Sequence, residues 1–223
     1  MMATSVQRRS AMTLYSDPAC PISHSVRMVI AEKDISVDVI SVTGDERPDD
    51  LRDLNPYNRI LTLIDRQLVL YDAQVIMEYL DERFPHPPLM PVDPVLRATN
   101  RQLRFRIACD LYDLVDDIQG DNDIAAATAR RAMRDHLTAV APALGQKPYF
   151  LSEEFTLADC CLLPILWRLN IYGVKLPPQG KALTQYSQRL FKRQSFQDSL
   201  SEIEQEWGGV KPRPRTTPVG RRG

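Results

Sequence analysis

Phe155-Thr156-Leu157-Ala158-Asp159-Cys160 is the stretch on which the reading of the fold turns. A threonine followed three residues later by an aspartate marks a helix start. The Thr156 hydroxyl can accept the Asp159 N–H, and the Asp159 carboxylate can accept the Thr156 N–H in return. Phe155 and Cys160 stand at the two apolar positions of a hydrophobic staple around that box. Such starts are common, so what this one decides depends on what lies on either side.

Upstream the pattern is helical back to about residue 95. Leu103, Ile107, Leu111, Leu114 and Ile118 recur at spacings of four, four, three and four, one apolar stripe. Gly120 to Asp123 makes a break, and Met133, Leu137, Val140 and Leu144 line a further helix that Gly145 ends. Downstream, two or three more helices run to about Trp207. Ahead of all this stand Pro85, Pro87, Pro88, Pro91 and Pro94. Proline fixes its own φ and biases the residue before it away from helix, so this is a stiff, extended connector.

The first third reads differently. Met12-Thr13-Leu14-Tyr15 is a short strand, Ser23 to Lys33 a helix with Val26, Val29 and Ile30 on one face, and Val37 to Val42 a second strand. Leu51 to Leu54 is a short helical piece ended by Asn55-Pro56. Ile60 to Ile64 and Gln67 to Tyr71 form a hairpin about Asp65-Arg66. Asp72 caps a helix that buries Val75, Ile76, Tyr79 and Leu80 and stops before Pro85. The order β-α-β-α-β-β-α predicts a mixed four-strand sheet with helices on its faces. The expected organisation is a flexible N-terminus over 1–10, an α/β domain over 11–88, a proline-rich linker over 89–94, an all-helical domain over 95–207 and a disordered basic tail over 208–223.

Composition narrows the function classes. A hydrophobic share of 43% and a charged share of 26% over 223 residues are ordinary for a globular chain with a real core. No apolar run approaches the roughly 20 residues needed to span a bilayer, and no signal-like stretch follows Arg8 and Arg9, so a cytoplasmic protein without a membrane partner is expected. A net charge of -1 speaks against wholesale nucleic-acid binding. DNA contact is expected to be at most indirect, or through the tail that carries Lys211, Arg213, Arg215, Arg221 and Arg222. Cys20, Cys109, Cys160 and Cys161 show no metal spacing and read as reduced thiols; with His24, His86 and His136 scattered, no metal site is expected.

A capping box after a proline-rich linker and a thioredoxin-like first third resembles the glutathione-transferase superfamily over about residues 11 to 207, which implies its fold. Three stretches resemble one family within it more closely: Val75 to Pro91, Ala141 to Ser152, and Leu166-Trp167-Arg168-Leu169. These are similar to the stringent starvation protein A family of RNA-polymerase-associated bacterial regulators. The resemblance implies a homodimer that binds RNA polymerase holoenzyme, through the sigma factor and core subunits, and alters promoter use under starvation or stress, without catalysis and without a cofactor. It also implies a partner-binding surface at Pro85, His86, Pro87 and Pro88, and dimerisation through the last helix of the first domain and the first helices of the second. Glu78, Arg83, Arg97 and Arg104 are thereby candidates for the dimer interface. Trp167, Arg168 and Tyr149 are expected in packing and interdomain contacts.

The rival reading is a thiol- or glutathione-dependent transferase or reductase. Cys20-Pro21-Ile22-Ser23 stands at a helix start, where N–H groups would stabilise a thiolate, and resembles the motif of monothiol glutaredoxins and cysteine-type transferases. Against it, Leu61 stands where glutathione-binding relatives have a cis-proline, and a cis bond before a non-proline residue costs roughly 3 kcal/mol. Ala73 stands where they have a serine, and losing that hydroxyl's bond to a carboxylate costs about 1.5–3 kcal/mol. A third reading is a small-molecule sensor at the dimer cleft. The acidic set Asp110, Asp113, Asp116, Asp117, Asp121 and Asp123 reads as a solvated helix face.

Overall fold

Alternating apolar residues place Met12–Ser16 (β1) inside a four-stranded sheet in the computed structural model, which describes residues 12–44, 48–57 and 59–208. β1 pairs in parallel with Val37–Ser41 (β2), Met12 opposite Val37. It pairs antiparallel with Thr62–Asp65 (β3), Leu14 opposite Leu63, and β3 pairs antiparallel with Leu68–Leu70 (β4). The strand order is β2-β1-β3-β4, the mixed sheet expected. The hairpin turn lies one residue later than its sequence reading. Asp65 still pairs with Leu68, so Arg66 and Gln67 make the turn, Arg66 taking φ 59°. A two-residue hairpin loop matches strand twist by this left-handed conformation.

Helix Pro21–Glu32 (α1) begins two residues before the expected Ser23. Pro21 takes the first helical position, where a missing N–H is no loss. Asp49–Leu54 (α2) is short. In Ala73–Arg83 (α3) the Asp72 carboxylate accepts the Gln74 and Val75 N–H groups at 2.9 and 3.0 Å. Ile76, Met77 and Leu80 are fully buried, whereas Val75, expected inside, is 51% exposed. It lies on the flank beyond the i, i+4 pair Ile76 and Leu80 that meets the core.

The second domain starts with Pro94–Asp110 (α4), capped by Asp93. The stripe read as one helix is broken: a 3₁₀ turn spans Tyr112–Leu114 before Val115–Gln119 (α5). The break falls at the one three-residue step of the stripe, Leu111 to Leu114, the spacing an i→i+3 turn satisfies. Asp123–Leu144 (α6), Leu157–Trp167 (α7), Lys181–Leu190 (α8), Gln194–Ser199 (α9) and Glu202–Trp207 (α10) complete it. Gly145 caps α6 as expected.

α7 is the keel of the domain, with every residue from Leu157 to Leu166 buried. Each of its large apolar side chains contributes about 1.5–3 kcal/mol on burial. One apolar cluster runs from Leu14 and Val29 through Leu89 and Leu163 to Leu200, joining both domains. The linker is part of that joint: Leu89 is buried and its carbonyl accepts the Leu157 N–H at 2.9 Å. It thereby satisfies one of the orphan donors at the start of α7. The expected flexible N-terminus over 1–10 and the tail beyond Gly208 lie outside the described residues.

Candidate functional site

Phe84 closes α3 with its N–H on the Leu80 carbonyl at 3.0 Å, and the chain then leaves the helix through Pro85, His86, Pro87 and Pro88. All four are exposed, and the His86–Pro87 peptide is cis. Immediately after them Leu89 and Met90 are buried. The exposed stretch is thus a short bridge between half-buried Phe84, packed against the core, and buried Leu89. The Lys33 ammonium stands 2.5 Å from both Asp81 Oδ1 and the Pro87 carbonyl, and the same Asp81 oxygen accepts the Leu89 N–H at 2.8 Å. Lys33 and Asp81 are both buried. A cleft of about 260 Å³ opens beside Pro88, bounded by Met90, Leu96, Leu103, Leu151 and Phe155.

Cys20 caps α1 and is half-buried. Its loop is tied down from two sides. Asp17 Oδ1 accepts the N–H groups of Ala19 and Cys20 at 2.8 and 3.2 Å. From the helical domain, Arg168 Nε donates to the Ala19 carbonyl at 3.1 Å, and the Ser201 hydroxyl to the Pro18 carbonyl at 2.7 Å. Leu61 is buried, and His86–Pro87 is the one cis bond among the described residues, so the backbone before Leu61 lacks the cis geometry of glutathione-binding relatives. The Asp72 carboxylate is occupied as the α3 cap, with Ala73 beside it.

A buried polar cluster behind that loop escaped the sequence. Glu204, on α10, is fully buried; both its oxygens lie 2.7 Å from Arg27 Nη2, and Arg168 Nη2 donates to Oε1. Arg168 Nη1 donates to His24 Nδ1 at 3.0 Å, which requires that nitrogen to be unprotonated. The proton therefore sits on Nε2, which donates to Ser199 Oγ at 2.9 Å while that hydroxyl donates onward to the Phe196 carbonyl. Burial, then Arg168, then Arg27, hold His24 well below the ordinary imidazole range. Arg168 is the interdomain contact, through His24 and Ala19, while Trp167 packs within the helical domain: its indole donates to the Glu204 carbonyl at 3.0 Å and stacks on Phe191 and Phe196. Tyr149 stacks edge-on against Phe155. Only the Trp167-Arg168 pair carried any signal in the sequence, because ion partners 36 residues apart leave no periodic trace.

The capping box forms, and Asp159 does more than cap. Oδ2 accepts the Thr156 N–H at 2.8 Å and its hydroxyl at 3.1 Å, while Oδ1 accepts the Phe150 N–H at 2.8 Å and the Tyr186 hydroxyl at 2.6 Å. Burial pushes this carboxyl up from its ordinary value, against the pull of those donors.

Of the four residues named for a dimer interface, Arg104 is buried and its guanidinium is committed to Glu78, Gln74 and Asn100. Glu78 also receives two bonds from Arg101, at 3.0 and 2.7 Å. Hydrogen bonding by Arg101, with Arg104 beside it and burial opposing, brings the Glu78 carboxyl down to about 2. Arg83 and Arg97 face Asp65 and Glu82, each at 3.8 Å. Leu68 on β4, Tyr71 just after it, Val75 on α3 and Phe105 on α4 are exposed.

All four cysteines are free thiols, Cys160 and Cys161 buried. Asp113, Asp116, Asp117, Asp121 and Asp123 are exposed, as a solvated face requires. Among the described residues, no cluster of three or more His, Cys, Asp or Glu side chains is placed to hold a metal ion, and no helix is long and apolar enough to cross a membrane.

Residues 14–88 match the glutathione S-transferase N-terminal domain and residues 102–194 its C-terminal domain. The Tau class glutathione S-transferase of mango, Mangifera indica, superposes with a TM-score of 0.77 over 90% of this chain and 98% of its own, at 21% identity, a likeness of fold. The chain is 46% identical over 200 residues to the stringent starvation protein A homolog of Coxiella burnetii, covering 89% of this chain and 96% of that one. It is 45% identical over 200 residues to the homolog of Pasteurella multocida, covering 89% and 94%. The chain has the glutathione-transferase fold and belongs to the stringent starvation protein A family.

Proposed function

We propose that this chain is a homodimeric, non-catalytic transcription regulator that docks on RNA polymerase holoenzyme through Pro85, His86, Pro87 and Pro88. The observation that carries the reading is that these four side chains are exposed, between the half-buried Phe84 that ends α3 and the buried Leu89 and Met90. A contact surface held in one geometry loses less entropy on binding than a flexible loop. The exposed apolar set of Val75, Leu68, Tyr71 and Phe105 supports pairing with a second copy next to the Glu78–Arg104 cluster. The sigma factor and the core subunits are the proposed points of contact. The cleft residues that would serve glutathione, Leu61 and Ala73, lack the cis backbone and the hydroxyl, which favours docking over thiol chemistry at Cys20.

The test is capture of purified holoenzyme by wild type and by Pro85→Ala/His86→Ala/Pro87→Ala, with folding of both checked by thermal melting. Loss of capture in the folded variant is expected; equal capture would sink the reading.

A further inference from the structure

We propose that Lys33 is the positioning residue of the docking segment, fixing Pro87 from inside the fold; this rests on the docking reading above. The segment is poor in backbone donors. Pro85, Pro87 and Pro88 have no N–H, so across these four residues only His86 can donate from the backbone. A stretch of this kind cannot be tied down by ordinary backbone pairing, and only its carbonyls are available to an outside donor. Lys33 supplies that donor. It caps the far end of α1, its side chain is fully buried, and its ammonium reaches the Pro87 carbonyl at 2.5 Å.

Asp81 completes the device. Its Oδ1 holds the ammonium at 2.5 Å and takes the Leu89 N–H, the first backbone donor after the prolines, at 2.8 Å. One oxygen thus joins the cation that holds Pro87 to the residue where the chain re-enters the core. A buried ion pair is weak evidence for stability, since apolar residues of similar volume often serve as well or better. What an apolar pair cannot supply is a donor for the Pro87 carbonyl. The pair's contribution is therefore the direction in which His86 is presented.

The test uses Lys33→Met/Asp81→Asn in the full chain. Both buried charges go together, and the carboxamide oxygen that replaces the carboxylate can still accept the Leu89 N–H. Two readouts are taken on protein shown to be folded: the imidazole C–H resonances of His86 by NMR, and capture of RNA polymerase holoenzyme. Shifted or broadened His86 signals, with capture weakened about tenfold, are the expected result. Wild-type His86 signals, or wild-type capture, in the folded double variant would overturn the inference. Should the Pro85→Ala/His86→Ala/Pro87→Ala variant capture polymerase normally, the docking reading fails by itself. The His86 resonances alone then decide whether Lys33 positions the segment. If the double variant does not fold, Lys33→Met, which removes the donor to Pro87 by itself, carries the same two readouts, with unchanged signals again overturning the proposal.

Discussion

The two oxygens of Glu204 lie 2.7 Å from Nη2 of Arg27, a residue of the first domain held by the last described helix of the second. Arg168 completes the arrangement, so two guanidinium groups share one fully buried carboxylate. Removing one partner of a buried charge set leaves the others uncompensated, at a cost of about 3–5 kcal/mol. Glu204→Ala should lose that much in urea unfolding. A loss under about 1 kcal/mol would mean the cluster is not coupled to folding.

His24 should make the fold acid-sensitive in a defined window. In the folded chain it takes up a proton only well below its ordinary value of 6.5, since burial, Arg168 and Arg27 all oppose the charge, although Glu204 Oε1 lies 3.5 Å from Nδ1. As pH falls through 6.5 the unfolded chain binds this proton first, so stability is full above 6.5 and declines below it. Chemical denaturation at a series of pH values should show that decline, and His24→Gln should flatten it. An identical slope in the variant would contradict the assignment.

Glu78 predicts a second, lower window. Its folded value of about 2, against 4.5 unfolded, means that its contribution is present above pH 4.5 and is lost as pH falls toward 2. Glu78→Gln should remove part of the acid limb there while leaving the decline near neutrality intact. Titration of the Glu78 carboxyl by NMR checks this directly, and a midpoint near 4.5 would refute it.

The Asp159 box should be far costlier to break at its centre than at its rim. Tyr186→Phe removes one donor to the carboxylate, a loss of about 1.5–3 kcal/mol. Asp159→Ala strands the buried donors of Thr156, Phe150 and Tyr186 together, and should cost more than twice as much. Equal losses in unfolding experiments would show that water replaces the carboxylate.

Much of this was legible in the sequence. Strand and helix periodicity pointed to the sheet and the helical domain, and Thr156 with Asp159 marked the start of the central helix. What escaped has a common cause. Val75 and the break after Leu111 depend on which flank of a helix meets a neighbour, and period alone does not say. Lys33 with Asp81, and Arg168 with Glu204, are polar pairs 48 and 36 residues apart, and pairing at that distance leaves no periodic trace in the chain. The Pro85–Pro88 segment was found by resemblance; its exposure and its anchoring from below came only from three dimensions.

Docking at His86 and thiol chemistry at Cys20 are separated by one comparison. The dissociation constant for purified RNA polymerase holoenzyme is measured for wild type, His86→Ala and Cys20→Ser. His86→Ala should bind about tenfold more weakly, some 1.4 kcal/mol, and Cys20→Ser should bind as wild type does. Unchanged binding in His86→Ala with loss in Cys20→Ser would contradict docking at His86.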